Sequence, residues 1–328
     1  MNHLSLFYMS LLVLCFVIAV VSERLLLPTL TRLAKQPIYT DGPRWHAKKS
    51  GTPTMGGIAV VIAVTLTSML GMALLIRKGE GDSAVYLLLS LLFCLSNALV
   101  GFLDDRKKLV GGKNESGLRP REKLLLQALI AIAFLYLRTV LCGRPTHLSF
   151  ASVNVELGLL YYPFALFLLL GIINSANLTD GVDGLAASVA FTIGISLFYL
   201  CRNESAEGAL MSIGLVGASL GFLCFNLHPA KIFMGDTGSL FFGALCCSIL
   251  FDMENPLLLL LFGGVYVIEG TSVVLQVLSY RIRHKRIFLM APLHHHLEKK
   301  GWSENKIALS AMLLTLLFSM IGAIVWKM

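Results

Sequence analysis

The chain has 328 residues, 56% hydrophobic and only 14% charged, with a mean hydropathy of +0.77. A soluble domain carries about 25% charged residues, so the composition argues against one. The formal net charge of +8 leaves nucleic acid, anionic lipid or a phosphorylated substrate as partners until the positions of the charges decide. The seven cysteines form no C-x-x-C pair, which removes support for zinc or redox chemistry.

Apolar runs of about twenty residues, enough to cross roughly 30 Å of hydrocarbon, recur along the chain. Ten candidate spans fall at about 4–30, 54–76, 84–103, 123–141, 159–174, 184–200, 208–225, 238–251, 257–280 and 305–326. The first run lacks a basic n-region and is followed by Glu23 and Arg24, so it reads as a span and not as a signal peptide. The runs lack the alternation of barrel strands, and lipid satisfies no exposed backbone, so helices are expected. The expected fold is all-α: a polytopic membrane protein of ten helices, with residues 1–328 as one domain, since no Pro-, Ser- or Gly-rich linker divides it.

Charge sets the orientation. The loops after spans 1, 3, 5, 7 and 9 hold 20 of the 27 Lys and Arg residues, whereas the opposite face has Arg77, Lys78, Arg144, Arg202 and Lys327. By the positive-inside rule the odd-numbered loops are cytoplasmic and both termini lie outside. The outer loops are short or bland, as at 142–158. Chemistry is therefore expected in the cytoplasmic loops, which concentrate Asp, Asn, His, Lys and Gly.

The first of these loops reads His46-Ala-Lys48-Lys49-Ser-Gly-Thr52-Pro-Thr54-Met-Gly-Gly57. It is no Walker A sequence, because no G-K-[ST] follows its glycines, but lysines and backbone amides there can clamp phosphate. Basic juxtamembrane residues often only contact anionic lipid, the reading given to Lys35 and Arg44.

Span 3 ends with Asn97, Gly101, Asp104 and Asp105 before Arg106-Lys-Lys108. Asn97, Gly101 and Asp104 share one helical face as an amide, a gap and a carboxylate. An acidic helix end neutralised by the following basic residues accounts for Asp105 better than for Asp104. The loop after span 5 carries Asn177, Asp180 and Asp183 at intervals of three, an oxygen-rich stripe with glycines alongside. A capped polar turn rarely needs so many carboxylates and amides.

The loop after span 7 contains Asn226, His228, Lys231, Phe233 and Asp236 between Gly235 and Gly238. Hard oxygen ligands beside a helix start suit a magnesium–phosphate group; simple capping by Asp236 or Thr237 leaves Lys231 and Phe233 unexplained. In span 9, Glu269 and Gln276 lie seven apart. An intramembrane carboxylate is a functional candidate, although a bond to a neighbouring helix explains it equally well. The loop beyond holds His294, His295 and His296, which are too close in sequence to share a helical face. Their surroundings suit phosphate contacts better than zinc, with at least one of them structural.

Carboxylates, lysines and amides thus converge on one rim of a helix bundle, where a water-soluble diphosphate can meet a lipid phosphate. Magnesium would bridge diphosphate oxygens and lysines would neutralise spreading charge. Exchange of one phosphoanhydride for another is nearly isoenergetic, so no ATP site is required.

Five segments occur in order: G-T-P-T-M-G-G-I, N-A-L-V-G-F-L-D-D, N-L-T-D-G-V-D-G-L-A, H-P-A-K-I-F-M-G-D-T-G-S-L and A-P-L-H-H-H-L-E. Together they resemble the phospho-N-acetylmuramoyl-pentapeptide transferase family of the polyprenyl-phosphate N-acetylhexosamine-1-phosphate transferase superfamily, from about residue 40 to the last helix. The resemblance implies transfer of phospho-MurNAc-pentapeptide from UDP-MurNAc-pentapeptide to undecaprenyl phosphate, giving lipid I and UMP. It also implies Mg²⁺, a homodimer in the cell membrane and no nucleic-acid partner. Carried over residue by residue, it implies Asp236 as metal ligand. Asp104, Asp105, Asp180 and His295 are implied as catalytic with Asp236, Asp104 being the base toward the lipid phosphate. Lys48, Lys49, Thr52, Lys108 and Lys123 would approach phosphate or nucleoside. Asn177 and Asp183 would line the cleft, Phe233 would stack on uracil beside Asn226, and Gln276 and His296 would form the facing wall. A sister enzyme transferring GlcNAc-1-phosphate is the alternative. A secondary transporter is disfavoured, because the polar residues lie at one rim and not at the midplane.

Overall fold

The computed structural model describes residues 3–34, 49, 51–110, 117–143, 146–150 and 153–328. Four long helices come first: α1 (His3–Leu33), α2 (Gly57–Lys78), α3 (Gly81–Val110) and α4 (Pro120–Cys142). A two-stranded antiparallel hairpin follows, β1 (His147–Phe150) with β2 (Val153–Glu156), in the register His147↔Glu156 to Phe150↔Val153. Then come α5 (Tyr161–Thr179), α6 (Leu185–Cys201), α7 (Ala206–Asn226), α8 (Gly235–Asp252), the single turn α9 (Leu259–Phe262), α10 (Gly264–Arg283), α11 (Leu293–Lys299) and α12 (Glu304–Lys327).

The chain is an all-α multi-pass membrane protein by length and composition. Among the described residues, seven helices are long and apolar enough to cross a membrane, or eight if the segment Pro256–Phe262 and α10, bent by 82° at Gly263, count as one span. The two remaining apolar stretches of the sequence correspond to α6, with 17 residues, and α8, with 18. The hairpin in the 142–158 loop was not expected from that bland sequence.

Burial sorts the helices into layers. The most apolar stretch of α7 is 83% buried, against 28% for α1, α4 and α12. Every residue of α8 from Thr237 to Asp252 is buried, making it the central pillar. The peripheral helices turn leucines such as Leu25, Leu125 and Leu313 outward, the arrangement of a bundle solvated by lipid. Around α8 the backbones approach closely, as small residues allow in membrane bundles. A Cβ on Gly101 would lie 2.3 Å from the Asp236 carbonyl oxygen, so only glycine lets α3 meet the start of α8. The gap read from the sequence in span 3 is this contact, and it brings the next turn of α3 against Asp236.

The described parts of the connections after α1, α3, α5, α7 and α10 gather at the same end. Pro53 to Gly57 runs beside Phe233 and Met234: Phe233 N–H donates to Pro53 O (2.8 Å), Gly56 N–H to Phe233 O (2.9 Å) and Gly57 N–H to Met234 O (2.9 Å).

Candidate active site

Three helix ends build the acidic centre. Asp104 and Lys108 sit one turn apart near the end of α3, Lys123 lies in the first turns of α4, and Asp236 opens α8. Lys108 Nζ lies 2.6 Å from Asp104 Oδ2 and 3.1 Å from Asp236 Oδ2; Lys123 Nζ lies 2.5 Å from Asp236 Oδ2 and 3.9 Å from Asp104 Oδ2. The second Asp104 oxygen accepts from the Leu118 N–H at 2.7 Å. Two carboxylates thus share two ammonium groups in a partly buried setting, where charge-assisted contacts are strong.

Asp105 faces elsewhere. It accepts from the Asp236 N–H (3.0 Å), the Thr237 N–H (2.9 Å) and the Thr237 hydroxyl (2.7 Å). The carboxylate satisfies the orphan amides at the start of α8 and favours its positive end. It is neutralised by that helix start, not by the basic residues that follow it in sequence.

Asp180 ends α5, and no hydrogen bond reaches its carboxyl from the described residues. Burial, together with the Asp236, Asp105 and Asp183 carboxylates, pushes its pKa well above the usual carboxylate range. Those same interactions place it within electrostatic reach of the acidic centre. Asn177, one turn earlier, donates to the Ser239 hydroxyl of α8 (3.0 Å).

A second cluster lies around Asp183. Lys49 Nζ is 2.7 Å from Asp183 Oδ1 and 2.6 Å from Glu304 Oε2. Asp183 Oδ2 meets His228 Nδ1 at 2.9 Å and accepts from the Ala230 N–H at 3.0 Å. Burial alone would raise the Asp183 pKa, but Lys49, the Ala230 amide and His228 hold it below the usual range. Burial would likewise lower the Lys49 pKa, yet Asp183 and Glu304 hold it above its usual value. The Lys49 ammonium also stands 5.9 Å from the centre of the Phe233 ring. Asp183, His228 and Glu304 offer ligand atoms all within 4.8 Å of one another, but Lys49 already bonds two of these residues. Asn226 braces this corner, accepting from the Gly184 N–H (2.9 Å) and donating to Ile232 O (2.8 Å).

The histidine run lies on α11. His294 is buried, with its N–H near both Glu269 oxygens (3.2 and 3.3 Å) and its ring against Gly181, where an added Cβ would lie 2.2 Å from Nε2. His295 Nδ1 pairs with Glu298 at 2.6 Å, and His296 Nδ1 accepts from the Leu289 N–H at 3.1 Å. Gln276 accepts from the Ile287 and Phe288 N–H groups (both 3.0 Å) and donates to Phe288 O (3.1 Å), fixing the segment that leads to α11.

The structure therefore brings Asp104, Asp105, Lys108, Lys123, Asp180 and Asp236 together, and joins Lys49, Asp183 and Phe233 beside them. Thr52 lies in the turn after Lys49, its N–H donating to the Lys49 carbonyl (3.2 Å). Lys48 lies outside the described residues. Sequence reasoning passed over Glu304 and the contact role of His228, and weighed Thr237 only as a cap of α8. An acid in a first helical turn is ordinary, so Glu304 gives no local signal.

A membrane-embedded bundle with carboxylates and lysines gathered at one rim is the architecture of a transferase acting on phosphate esters at a lipid surface. The model of glycosyl transferase family 4 matches residues 84–254, and a phospho-N-acetylmuramoyl-pentapeptide-transferase signature matches residues 49–61. A phospho-N-acetylmuramoyl-pentapeptide-transferase of Caldanaerobacter subterraneus is 44% identical over 93% of this chain and 94% of its own length. Those of Halalkalibacterium halodurans (40%, over 95% of each chain) and Clostridium botulinum (39%, over 96% of this chain and 95% of its own) are also similar. The chain belongs to the phospho-N-acetylmuramoyl-pentapeptide-transferase family.

Proposed function

We propose that the protein transfers phospho-N-acetylmuramoyl-pentapeptide from its UDP carrier to undecaprenyl phosphate, forming lipid I and UMP. The observation that carries the reading is the cluster in which Lys108 and Lys123 span Asp104 and Asp236 at the meeting of α3, α4 and α8. The family of the chain supports the same substrates.

The carboxylates of Asp236 and Asp104 are hard oxygen donors of the kind Mg²⁺ prefers, and two cations already gather on them. Asp236 would be the principal ligand. When bound, the ion supplies charge neutralisation and polarisation of the diphosphate.

The protein's own groups do the rest. Lys108 and Lys123 move from carboxylate to diphosphate oxygens, holding charge as it shifts toward the leaving UMP. The lipid phosphate, whose second pKa is about 6, is already largely dianionic at neutral pH, and Asp104 accepts any remaining proton. Asp105 acts by seating Asp236 and Thr237. Asn177, Asp180 and Asp183 line the cleft, with the Asp180 carboxyl available to a cation or a hydroxyl. Phe233, Lys49, Thr52 and Asn226 frame the uridine corner, and the family resemblance adds Lys48 as a phosphate or nucleoside contact. Gln276, His295 and His296 set the facing wall.

The same reading places ten spans in one domain, by adding α6 and the central α8 to the eight apolar spans. It puts the site on the cytoplasmic face and both termini outside, following the bias of lysine and arginine. A homodimer belongs to this reading through the family resemblance.

The test is release of UMP by the purified protein given UDP-MurNAc-pentapeptide and a short polyprenyl phosphate, with and without Mg²⁺. Turnover that requires both substrates and the ion is expected. Turnover with UDP-GlcNAc in place of the muramoyl substrate would assign the protein to the sister reaction instead.

A further inference from the structure

Glu304 begins α12, yet its side chain reaches into the uridine corner formed by segments far away in sequence. Its Oε2 accepts from Lys49 Nζ (2.6 Å) and from the Asp183 N–H (2.8 Å), and its Oε1 lies 3.5 Å from His228 Nδ1. One carboxylate therefore ties the first loop, the turn after α5 and the loop after α7 to the last helix.

The consequence for Lys49 is directional. A lysine on a flexible stem loses much rotamer entropy when it is fixed. Held by Asp183 alone, its ammonium could swing about that contact; held by two carboxylates it has a single position beside the Phe233 ring. The two anions also neutralise it, so Lys49 serves as an aimed hydrogen-bond donor and not as a free charge for the diphosphate, the task left to Lys108 and Lys123. Through the Asp183 amide, Glu304 also fixes the turn that presents Asp180 and Asp183.

We propose that Glu304 is a positioning residue for nucleotide recognition: it orders Lys49 and the Asp183 turn before the uridine part of the substrate arrives. The inference rests on the transfer reaction proposed above and adds to it a residue outside the five sequence motifs. Loss of Glu304 is expected to weaken binding of the nucleotide substrate and to leave the lipid substrate and the chemical step nearly untouched.

The experiment compares wild type, Glu304→Gln, Glu304→Ala, Lys49→Met and the Lys49→Met/Glu304→Gln double variant, all as full-length protein in detergent. KM and kcat are measured for UDP-MurNAc-pentapeptide and for the polyprenyl phosphate, and UMP binding is measured by calorimetry. Glu304→Gln keeps an acceptor for the Asp183 N–H but loses the charge opposite Lys49. It should raise the nucleotide KM and weaken UMP binding by about 10-fold, with kcat and the lipid KM within about threefold. Glu304→Ala should do more in the same direction. Because Glu304 acts through Lys49, the double variant should be little worse than Lys49→Met, a non-additivity expected of coupled neighbours. Glu304→Gln with unchanged nucleotide KM and UMP affinity would overturn the proposal. So would equal losses in kcat and in both KM values, or full additivity with Lys49→Met. Should Glu304→Ala fail to fold, Glu304→Gln and the cycle decide alone. Wild type that neither releases nor binds UMP would instead overturn the parent reading, and this one with it.

Discussion

Helices α3, α4 and α8 carry two buried charge clusters, one at each end of their contact, and the contrast separates structure from chemistry. At the end away from the site, Arg138 of α4 donates to Asp252 and to the Phe251 carbonyl, and Ser90 of α3 donates to the other Asp252 oxygen at 2.8 Å. The Phe134 and Phe251 rings flank the guanidinium. Among the described residues Arg138 is the cation that meets Asp252, both Asp252 oxygens are occupied, and the groups are buried. At the site end, the same helices supply Asp104, Lys108, Lys123 and Asp236, with Asp105 and Asp180 close by. There the lysines keep some exposure and are shared between Asp104 Oδ2 and Asp236 Oδ2, and Asp180 receives no hydrogen bond from the described residues. A closed pair holds helices together; a cluster with spare oxygens and movable lysines is built to receive something.

The largest effect that sharpens this contrast is on turnover. Asp236→Asn, Asp104→Asn and Asp180→Asn should each reduce UMP release by about 10³-fold or more, since in the proposed reaction each removes a carboxyl from the centre that would stabilise transition-state charge. Thermal unfolding should show each variant still folded. Near-normal turnover in Asp236→Asn would remove the metal assignment.

At the opposite end the signs reverse. Arg138→Met breaks the buried Arg138–Asp252 pair by removing one partner, which should cost about 3–5 kcal/mol of stability. The surviving folded protein should retain nearly normal kcat. The double change Arg138→Met/Asp252→Leu should recover much of the loss, because a buried pair can often be exchanged for apolar packing. Melting temperatures alongside UMP release would check both statements. A specific loss of kcat in Arg138→Met would show that the two ends are not separate.

Why one cluster was legible in the sequence and the other was not follows from the cost of charge in an apolar chain. Asp104, Asp180 and Asp236 stand out because they adjoin long hydrophobic runs and recur with glycine and asparagine. Arg138 and Asp252 lie singly in or beside such runs, and nothing in the sequence says that they meet. Glu304 is hidden for a different reason: an acid in a first helical turn is what any helix dipole favours, so its reach to Lys49 leaves no local signature. His294 was visible as part of a run, but its burial between Gly181 and Glu269 distinguishes it from His295 and His296 only in the structure. The spans were legible wherever lipid sets their length. α6 and α8 are short because protein, not lipid, covers most of their sides, and so hydropathy and length report them weakly.

Asp105 lies on the border between the two kinds of cluster. Its three donors resemble the closed end, yet they belong to Asp236 and Thr237 of the open one. Asp105→Ala should therefore cost about 1–2 kcal/mol, the scale of a lost helix cap, and should lower kcat by roughly 10- to 100-fold as Asp236 loses its seat. Asp105→Asn, which keeps one acceptor oxygen, should fall between that variant and wild type in both measurements. Equal kcat in Asp105→Ala and wild type would make the cap purely structural.

The smallest effect is also the most direct test of what an open cluster costs. Asp180 has a folded-state pKa raised by burial and by the neighbouring carboxylates, whereas in the unfolded chain it titrates near an ordinary value of about 3.9. Between those values the unfolded state has released a proton that the folded state keeps, so stability falls as pH rises through that window. Asp180→Asn removes the dependence. Without divalent cation, its melting temperature should match wild type near pH 4 and exceed it by a few degrees near neutral pH. Added Mg²⁺ should narrow the gap, because a cation near the Asp180 carboxylate offsets the repulsion that makes it costly. A variant that melts below wild type across the whole range would mean that Asp180 is held by contacts as complete as those of Asp252.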